Sequence, residues 1–261
     1  MISAVVLAKN EEGNIEECLN SVSFADELIV IDDESTDKTS EIAEKFGAKV
    51  IKHPLDNDFS QQRNFALRQV TTPSSTRGAH GNWTLFVDAD ERVSPKLREE
   101  IQSIIHHSSL TINGYFLKRE DTIFGKTLQH GETAGVRLLR LGKIGVGKWE
   151  GKVHETWKIK GETGELDTPL EHYPHPTISA FLEDINEYST LRAEELYEQG
   201  VKTNLFLILA YTKGKFLQNY FLKLGLLDGM PGFIVALLMS FHSFLVRSKL
   251  YLLWKQETRK N

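Results

Sequence analysis

Hydrophobic and polar positions follow two rhythms along this chain, and the change between them divides it. Ile2 to Ala8 (ISAVVLA) is an unbroken apolar, β-branched run, the pattern of a strand buried on both faces. Ile15, Leu19 and Val22 recur at helical spacing, and Cys18 beside them reads as a buried, inert thiol. Leu28 to Ile31 predicts a second strand, followed by a helix that Ser35 can cap and Gly47 closes. Val50 and Ile51 mark a third strand, and a helix follows around Gln61 to Val70. The polar stretch TTPSSTRGAHGN reads as an exposed loop, Trp83 to Val87 as a fourth strand, and Ser94-Pro95 as the start of the next helix. Beyond Gly114 the alternation gives way to short β-like pieces joined by glycines, and from Thr177 onward everything reads as helix.

Strand–helix alternation of this kind predicts an α/β fold with a mostly parallel, twisted sheet flanked by helices. Ligands in such sheets sit at the carboxyl ends of the strands. Three of those ends are polar beyond any packing need: Lys9-Asn10-Glu11-Glu12, Asp32-Asp33 and Asp88-Ala89-Asp90. Singly, each aspartate has an ordinary use in turns and helix caps. Together they would repel one another unless a cation or hydrogen-bond donors lay among them. Asp88 and Asp90 are two apart, so a persisting strand would point both the same way, as hard oxygen ligands for Mg²⁺ or Mn²⁺. No GxGxxG or GxxxxGK[ST] follows the first strand, which disfavours dinucleotide-binding and P-loop enzymes.

These blocks together, KNEEGNIEECLNSV, VIDDESTD, QRNFAL and FVDADE, resemble the nucleotide-binding half of the family 2 glycosyltransferases. The resemblance implies the Rossmann-like GT-A fold, a nucleotide-diphosphate sugar donor and a divalent metal, Mn²⁺ or Mg²⁺. On it, Asp32 and Asp33 bind the nucleoside, Asn10 and Glu11 border it, and Arg63 and Asn64 support the diphosphate side. Asp88 and Asp90 become the metal-binding DxD, Asp88 also lying against the substrate. The Thr71–Asn82 stretch is longer than the family usually carries at that place.

Members of this family invert the anomeric centre, which requires one general base on the acceptor hydroxyl. Many relatives supply it from an ED pair after the DxD strand, and the WEGKVHE block, which stands in its place here, has none. Glu155 is the leading candidate and His154 the next, both in the VHE block, with a simple hydrogen-bonded loop pair as the plainer reading. His172 is a candidate third metal ligand or diphosphate contact, or a structural histidine. Trp149 is a candidate sugar-stacking wall, with core packing its competing use. The VHE block, the EHY segment and the apolar helical end look most like the lipopolysaccharide-core β-glucosyltransferases. That implies transfer of a hexose, glucose from UDP-glucose, to a lipid-linked saccharide such as the inner core. A nucleotidyltransferase acting on sugar phosphates and a protein-directed glycosyltransferase are the alternatives.

Composition and charge then narrow the setting. One cysteine in 261 residues excludes a disulfide framework, and no N-terminal secretion signal fits, so a reducing, cytoplasmic location is expected. From Lys202 to Asn261 there are nine Lys and Arg against two Asp and Glu, a balance of +7, while the remaining 201 residues carry −12. An acidic body with a basic, apolar tail does not suit nucleic acid but suits an anionic membrane surface and a glycolipid acceptor. Phe233 to Val246 (FIVALLMSFHSFLV), flanked by basic residues, is shorter than the ~20 residues a span needs and is interrupted by His242. It reads as a helix lying at the inner face of the cytoplasmic membrane, with core packing and dimerisation as rivals. The expected organisation is a GT-A domain over 1–176, its donor half 1–95 and acceptor half 96–176, and a helical region over 177–261.

Overall fold

The computed structural model describes residues 1–56, 58–70, 82–107, 111–152 and 155–260. By internal packing the chain forms two units, Met1–Arg119 with Val136–His172, and Glu120–Gly135 with Tyr173–Asn261. Each has its own architecture.

The first unit is built on β1 (Ile2–Ala8), β2 (Glu27–Asp32), β3 (Lys49–Lys52) and β4 (Trp83–Asp88), all parallel, in the order β3-β2-β1-β4. Beyond β4 the sheet turns antiparallel through β8 (Arg137–Lys143) and β6 (Ile112–Ile123), so it is mixed where a mostly parallel sheet is expected. Two short strands, β5 (Glu91–Arg92) and β12 (Leu170–His172), pair antiparallel at its far edge. The period of two in β1 explains the layering. Ala4, Val6 and Ala8 pack with Ile15, Cys18 and Leu19 of α1 (Ile15–Ser21), Ala43 of α2 (Thr39–Lys45), and Leu97 and Ile101 of α4 (Pro95–His107). Val5 and Leu7 face the opposite layer, with Ala66 of α3 (Phe59–Gln69) and a small hairpin of β9 (Gly147–Glu150) and β10 (Thr156–Ile159).

Two glycines let that hairpin lie on the sheet. Gly114 and Gly142 are register partners on β6 and β8. A Cβ on either would stand 2.6 to 2.7 Å from Ile159 Cδ1, and one on Gly142 would stand 2.8 Å from the Trp157 ring. Cys18 is fully buried, and that burial pushes its thiol far above the usual range, in keeping with an inert packing role. Ser94 caps α4 as expected, its Oγ accepting from Leu97 N at 3.3 Å. Ser35 does not cap α2, whose preceding residue is Lys38; its Oγ instead accepts the Asn10 N–H at 2.9 Å. The loop stretch 71–81 lies outside the described residues.

In the second unit, α5 (Ile178–Glu198), α6 (Leu205–Leu217) and α7 (Gly229–Lys260) carry the structure. A π-helical turn (Gln218–Leu222) and a 3-10 turn (Gly225–Asp228) join α6 to α7. Ala193 and Leu196 of α5 pack on Val246 and Leu250 of α7. Buried Asp228 accepts the Gln129 and His130 N–H groups at 3.2 and 2.8 Å, tying the 120–135 segment to the turn. The helical reading from Thr177 onward is realised, with Thr177 Oγ1 itself capping α5.

Candidate active site

Backbone pairing brings the polar strand ends together. Ala8 of β1 lies opposite Asp32 of β2, and Leu7 lies opposite Asp88 of β4. The carboxyl ends of three neighbouring strands therefore meet within about two strand spacings, roughly 10 Å. Two non-glycine residues just past those ends, Asn10 (φ 55) and Glu34 (φ 53), hold left-handed backbone. Such conformations cost on the order of 1–3 kcal/mol each and gather at functional sites.

Side-chain hydrogen bonds stitch the two loops. Asn10 Oδ1 accepts from Thr36 N at 2.8 Å, and Glu11 N donates to Thr39 Oγ1 at 2.7 Å. Glu11 Oε2 accepts from Asn14 Nδ2 at 2.8 Å. Asn10 and Glu11 thus shape the rim. Asp33 accepts from Leu55 N at 2.7 Å and pairs with Lys9 Nζ at 2.8 Å. Asp32 is fully buried, and while its Oδ1 accepts from Ser35 N at 3.3 Å, its Oδ2 has no hydrogen-bond partner among the described residues.

Asp88 lies in a chain of ion pairs. Its Oδ1 accepts from Arg63 Nη2 at 2.9 Å and its Oδ2 from Arg140 Nη2 at 2.5 Å. Arg63 Nε in turn donates to Glu155 Oε1 at 2.8 Å, and Arg140 Nη2 reaches Glu91 Oε1 at 3.1 Å. Burial alone would raise the Asp88 pKa, but the charges of Arg140 and then Arg63 hold it well below the usual carboxylate range. Burial raises that of Glu91 in spite of Arg140. Glu91 Oε2 also accepts the Asp88 N–H at 2.9 Å, and Arg92 Nη1 donates to the Ala89 and Glu91 carbonyls at 2.8 and 2.9 Å. The Asp88–Asp90 turn is therefore held from both sides. Among the described residues, Arg63 Nη1 and Arg140 Nε are buried with no partner, two spare donors in the same chain of charges.

Asp88 and Asp90 take different partners, because β4 ends at Asp88 and the chain turns at Ala89, so the strand geometry expected for the pair does not persist. Asp90 Oδ2 instead meets His172 Nε2 at 3.1 Å. No set of three or more His, Cys, Asp and Glu side chains is placed to hold a metal ion among the described residues. The Asp90–His172 pair nonetheless fits a divalent cation. Neighbouring ligands on an octahedral ion with bonds near 2.1 Å stand about 3.0 Å apart, and such ions keep few protein ligands beside phosphate and water. Asp88 fits less well as a ligand, since a cation there would have to displace a guanidinium.

Asn64 and Trp149 are brought together, but with each other. Asn64 Nδ2 donates to the Trp149 carbonyl at 2.8 Å and its Oδ1 accepts the Trp149 N–H at 2.9 Å, locking α3 to β9. Trp149 is 5% exposed, stacked on Trp157 at 5.3 Å, with the Arg63 guanidinium 4.8 Å from its ring centroid. Its ring packs the core and orients Arg63, and it offers a sugar no open face. His154 lies outside the described residues.

The family 2 glycosyl transferase pattern matches residues 3–187, through both the strand-end carboxylates and His172. The chain belongs to that family. It is a glycosyltransferase of the GT-A fold, which sets aside the nucleotidyltransferase alternative. The chain is 27% identical over 258 residues to the lipopolysaccharide core biosynthesis glycosyltransferase LpsC of Rhizobium meliloti, covering 96% of this chain and 92% of that one. It is 28% identical over 261 residues to an uncharacterized glycosyltransferase of Rickettsia typhi, covering 95% and 86%. A solved glucosyl-3-phosphoglycerate synthase of Mycobacterium tuberculosis, in complex with Mn²⁺, UDP and glucosyl-3-phosphoglycerate, is 24% identical with a TM-score of 0.35 over 48% of this chain and 44% of that one. Likenesses of that closeness carry no ligand across.

Sequence reasoning missed Arg140 and Glu91 in this family 2 site. The signal for Glu91 was its place directly after the DxD. For Arg140 it was a charge inside the apolar strand RLLRLGK.

Proposed function

We propose that this enzyme moves a hexose, glucose from UDP-glucose, to a lipid-linked saccharide of the lipopolysaccharide inner-core type, with inversion and with a divalent metal, Mn²⁺ or Mg²⁺. The observation that supports the proposal is the Glu155–Arg63–Asp88–Arg140 chain at the strand ends, with a buried N–H on each arginine that has no partner among the described residues. A diphosphate would satisfy both donors, and charge-assisted bonds of this kind are among the strong ones. Asp32 Oδ2, the open buried acceptor, is placed at the β2 end where the nucleoside is expected. Asp90 and His172 would hold the metal, which when bound neutralises the departing diphosphate.

In this mechanism Glu155, an anion beside Arg63, takes the proton of the acceptor hydroxyl. The freed oxygen attacks the anomeric carbon as the bond to the diphosphate breaks on the opposite face. Arg63 and Arg140 then carry the negative charge that leaves with the nucleoside diphosphate. Arg63 both orients the base and faces the leaving group, so it couples the two ends of the displacement.

The membrane part of the reading rests on the helical unit. Leu205, Phe206, Leu222, Met230 and Leu227 stand exposed along α6, the turn and α7. The apolar stretch is longer than Phe233–Val246, because α7 continues past His242 and Arg247; the segment Gly225–Glu257 is long and apolar enough to cross a bilayer by length and composition. One side of α7 packs along α5, which carries Glu183, Asp184, Glu187, Glu194 and Glu198, so a surface-lying helix suits it better than a span. The location proposed is peripheral, on the cytoplasmic membrane face.

Glu155→Gln should lower kcat by about 10²–10⁴-fold while leaving UDP-glucose binding intact. Asp90→Ala should abolish metal-dependent donor binding. Label from UDP-[¹⁴C]glucose is followed into lipid extract and into polypeptide. An unaltered kcat in Glu155→Gln, or label found only in polypeptide, would overturn the proposal.

A further inference from the structure

The helical unit contains a cavity of about 560 Å³ walled by α5, α6 and α7. Its volume falls in the range of small-molecule sites. Arg192, Lys215 and Arg247 line it together with His242, and no acidic residue is part of the lining. The Arg247 guanidinium lies 3.9 Å from the Tyr211 ring centroid and has no acid partner among the described residues, so it is oriented but not neutralised. Arg192 and Lys215 pair with Glu195 and Glu132, carboxylates that stand outside the lining. Leu196 and Val246 give the same cavity an apolar wall.

This arrangement also accounts for the polar break in the apolar helix. His242, Ser243 and Arg247 interrupt an otherwise hydrophobic run, and the spacing of four puts Ser243 and Arg247 on one face of α7, with His242 at its flank. All three line the cavity. Packing alone draws on that face only through the contact of Arg247 with the Tyr211 ring, whereas a site for an anion with an apolar chain also uses the charge.

We propose that this cavity binds the phosphate headgroup of an anionic membrane phospholipid, with Arg247 as its principal phosphate contact, Arg192 and Lys215 supplementing the charge, and the acyl chain along Leu196 and Val246. The inference deepens the membrane reading above, and its test needs neither sugar donor nor acceptor, so the two can fail separately. Binding of dihexanoyl-phosphatidylglycerol, below its micellar concentration, to the full chain is followed by calorimetry. Saturable binding is expected, at least tenfold tighter than to dihexanoyl-phosphatidylcholine, whose ammonium the cations repel, and tighter than to inorganic phosphate, which lacks the chain. Arg247→Gln should weaken it tenfold or more, and Arg247→Lys should restore part of it. Both variants must keep the wild-type circular dichroism; if Arg247→Gln loses it, Arg192→Gln takes its place with the same expected direction. Equal affinity for the two lipids, equal affinity for free phosphate, or full-strength binding by the folded variants would overturn the assignment.

Discussion

The two units solve the problem of burial in opposite ways. In the sheet unit, large apolar side chains are inside, and charged groups go inside with them: Asp32, Arg63, Glu91 and Arg140 are all buried. In the helical unit large apolar side chains stand outside as well. Every large apolar side chain that stands exposed among the described residues lies between Tyr173 and Leu252, with Phe206 at 76% and Leu222 at 80%. Soluble surfaces carry scattered apolar residues, but a concentration of this kind marks a surface meant for contact. The sheet unit spends stability on an internal charge array, as catalytic sites do. The helical unit spends solubility on its exterior, and the basic excess of residues 202–261 goes with that surface.

The contrast predicts where single substitutions hurt. Arg140→Ala strands Glu91, which is 0% exposed, and removes one of the two partners of Asp88. Breaking a buried pair on one side typically costs about 3–5 kcal/mol. A urea titration should show a loss of that size, and adding Glu91→Gln should return part of it, because the stranded charge is then gone. A loss under 1 kcal/mol would mean that the array is solvated and that the sheet unit is no different from the helical one.

Substitutions on the helical exterior should do the opposite. Phe206→Ser with Leu222→Ser should leave the unfolding free energy from a urea titration within about 0.5 kcal/mol of the wild type. Partition onto vesicles containing anionic lipid should fall by about 3 kcal/mol, or roughly a hundredfold, from some 1.5 kcal/mol per side chain removed from the interface. Vesicle flotation read against denaturation separates the two effects. Large destabilisation with unchanged flotation would mean these side chains pack against protein, a second copy included.

How much of this was legible in the sequence follows the same division. The parallel core could be read because Ile2–Ala8 and Trp83–Val87 are continuous apolar runs whose local pattern is their tertiary role. Asp32, Asp33, Asp88 and Asp90 could be placed at one edge because strand ends carry them. The charge array could not be read, since Arg140 meets Asp88 and Glu91 from 52 and 49 residues away. Nor could the turn at Ala89, which parts two aspartates that strand geometry would align and gives Asp90 to His172. Ser35 looked like a cap because its residue type suits one, yet the β1 loop took its hydroxyl first. In each case a long-range partner outcompeted the local preference. On α7 the stretch read as Phe233–Val246 stopped at Arg247, which lines a cavity and which one-dimensional reading counts as a break.

The finest test of the comparison lies at the margin of the sheet unit, where a charge is only partly buried. Glu100 of α4 accepts the Asp167 and Thr168 N–H groups at 2.7 and 2.9 Å. Burial works to raise its pKa, but a hydrogen bond from the Thr168 side chain foremost, and then the two N–H groups, carry it below the ordinary 4.5. A carboxylate with a depressed folded pKa stabilises the fold above its unfolded pKa and loses that contribution as pH falls through the folded value. Glu100→Gln keeps the shape and one acceptor but loses the charge, so at pH 7 it should cost about 1 kcal/mol, a charge-assisted bond reduced by partial exposure. The gap between wild type and variant should hold from pH 7 to near pH 5 and shrink below pH 4.5, because a protonated glutamate accepts little better than a glutamine. A gap that widened on acidification would have the wrong sign for a carboxylate held as an anion, and the polar groups of the sheet unit would then have to be read as neutral.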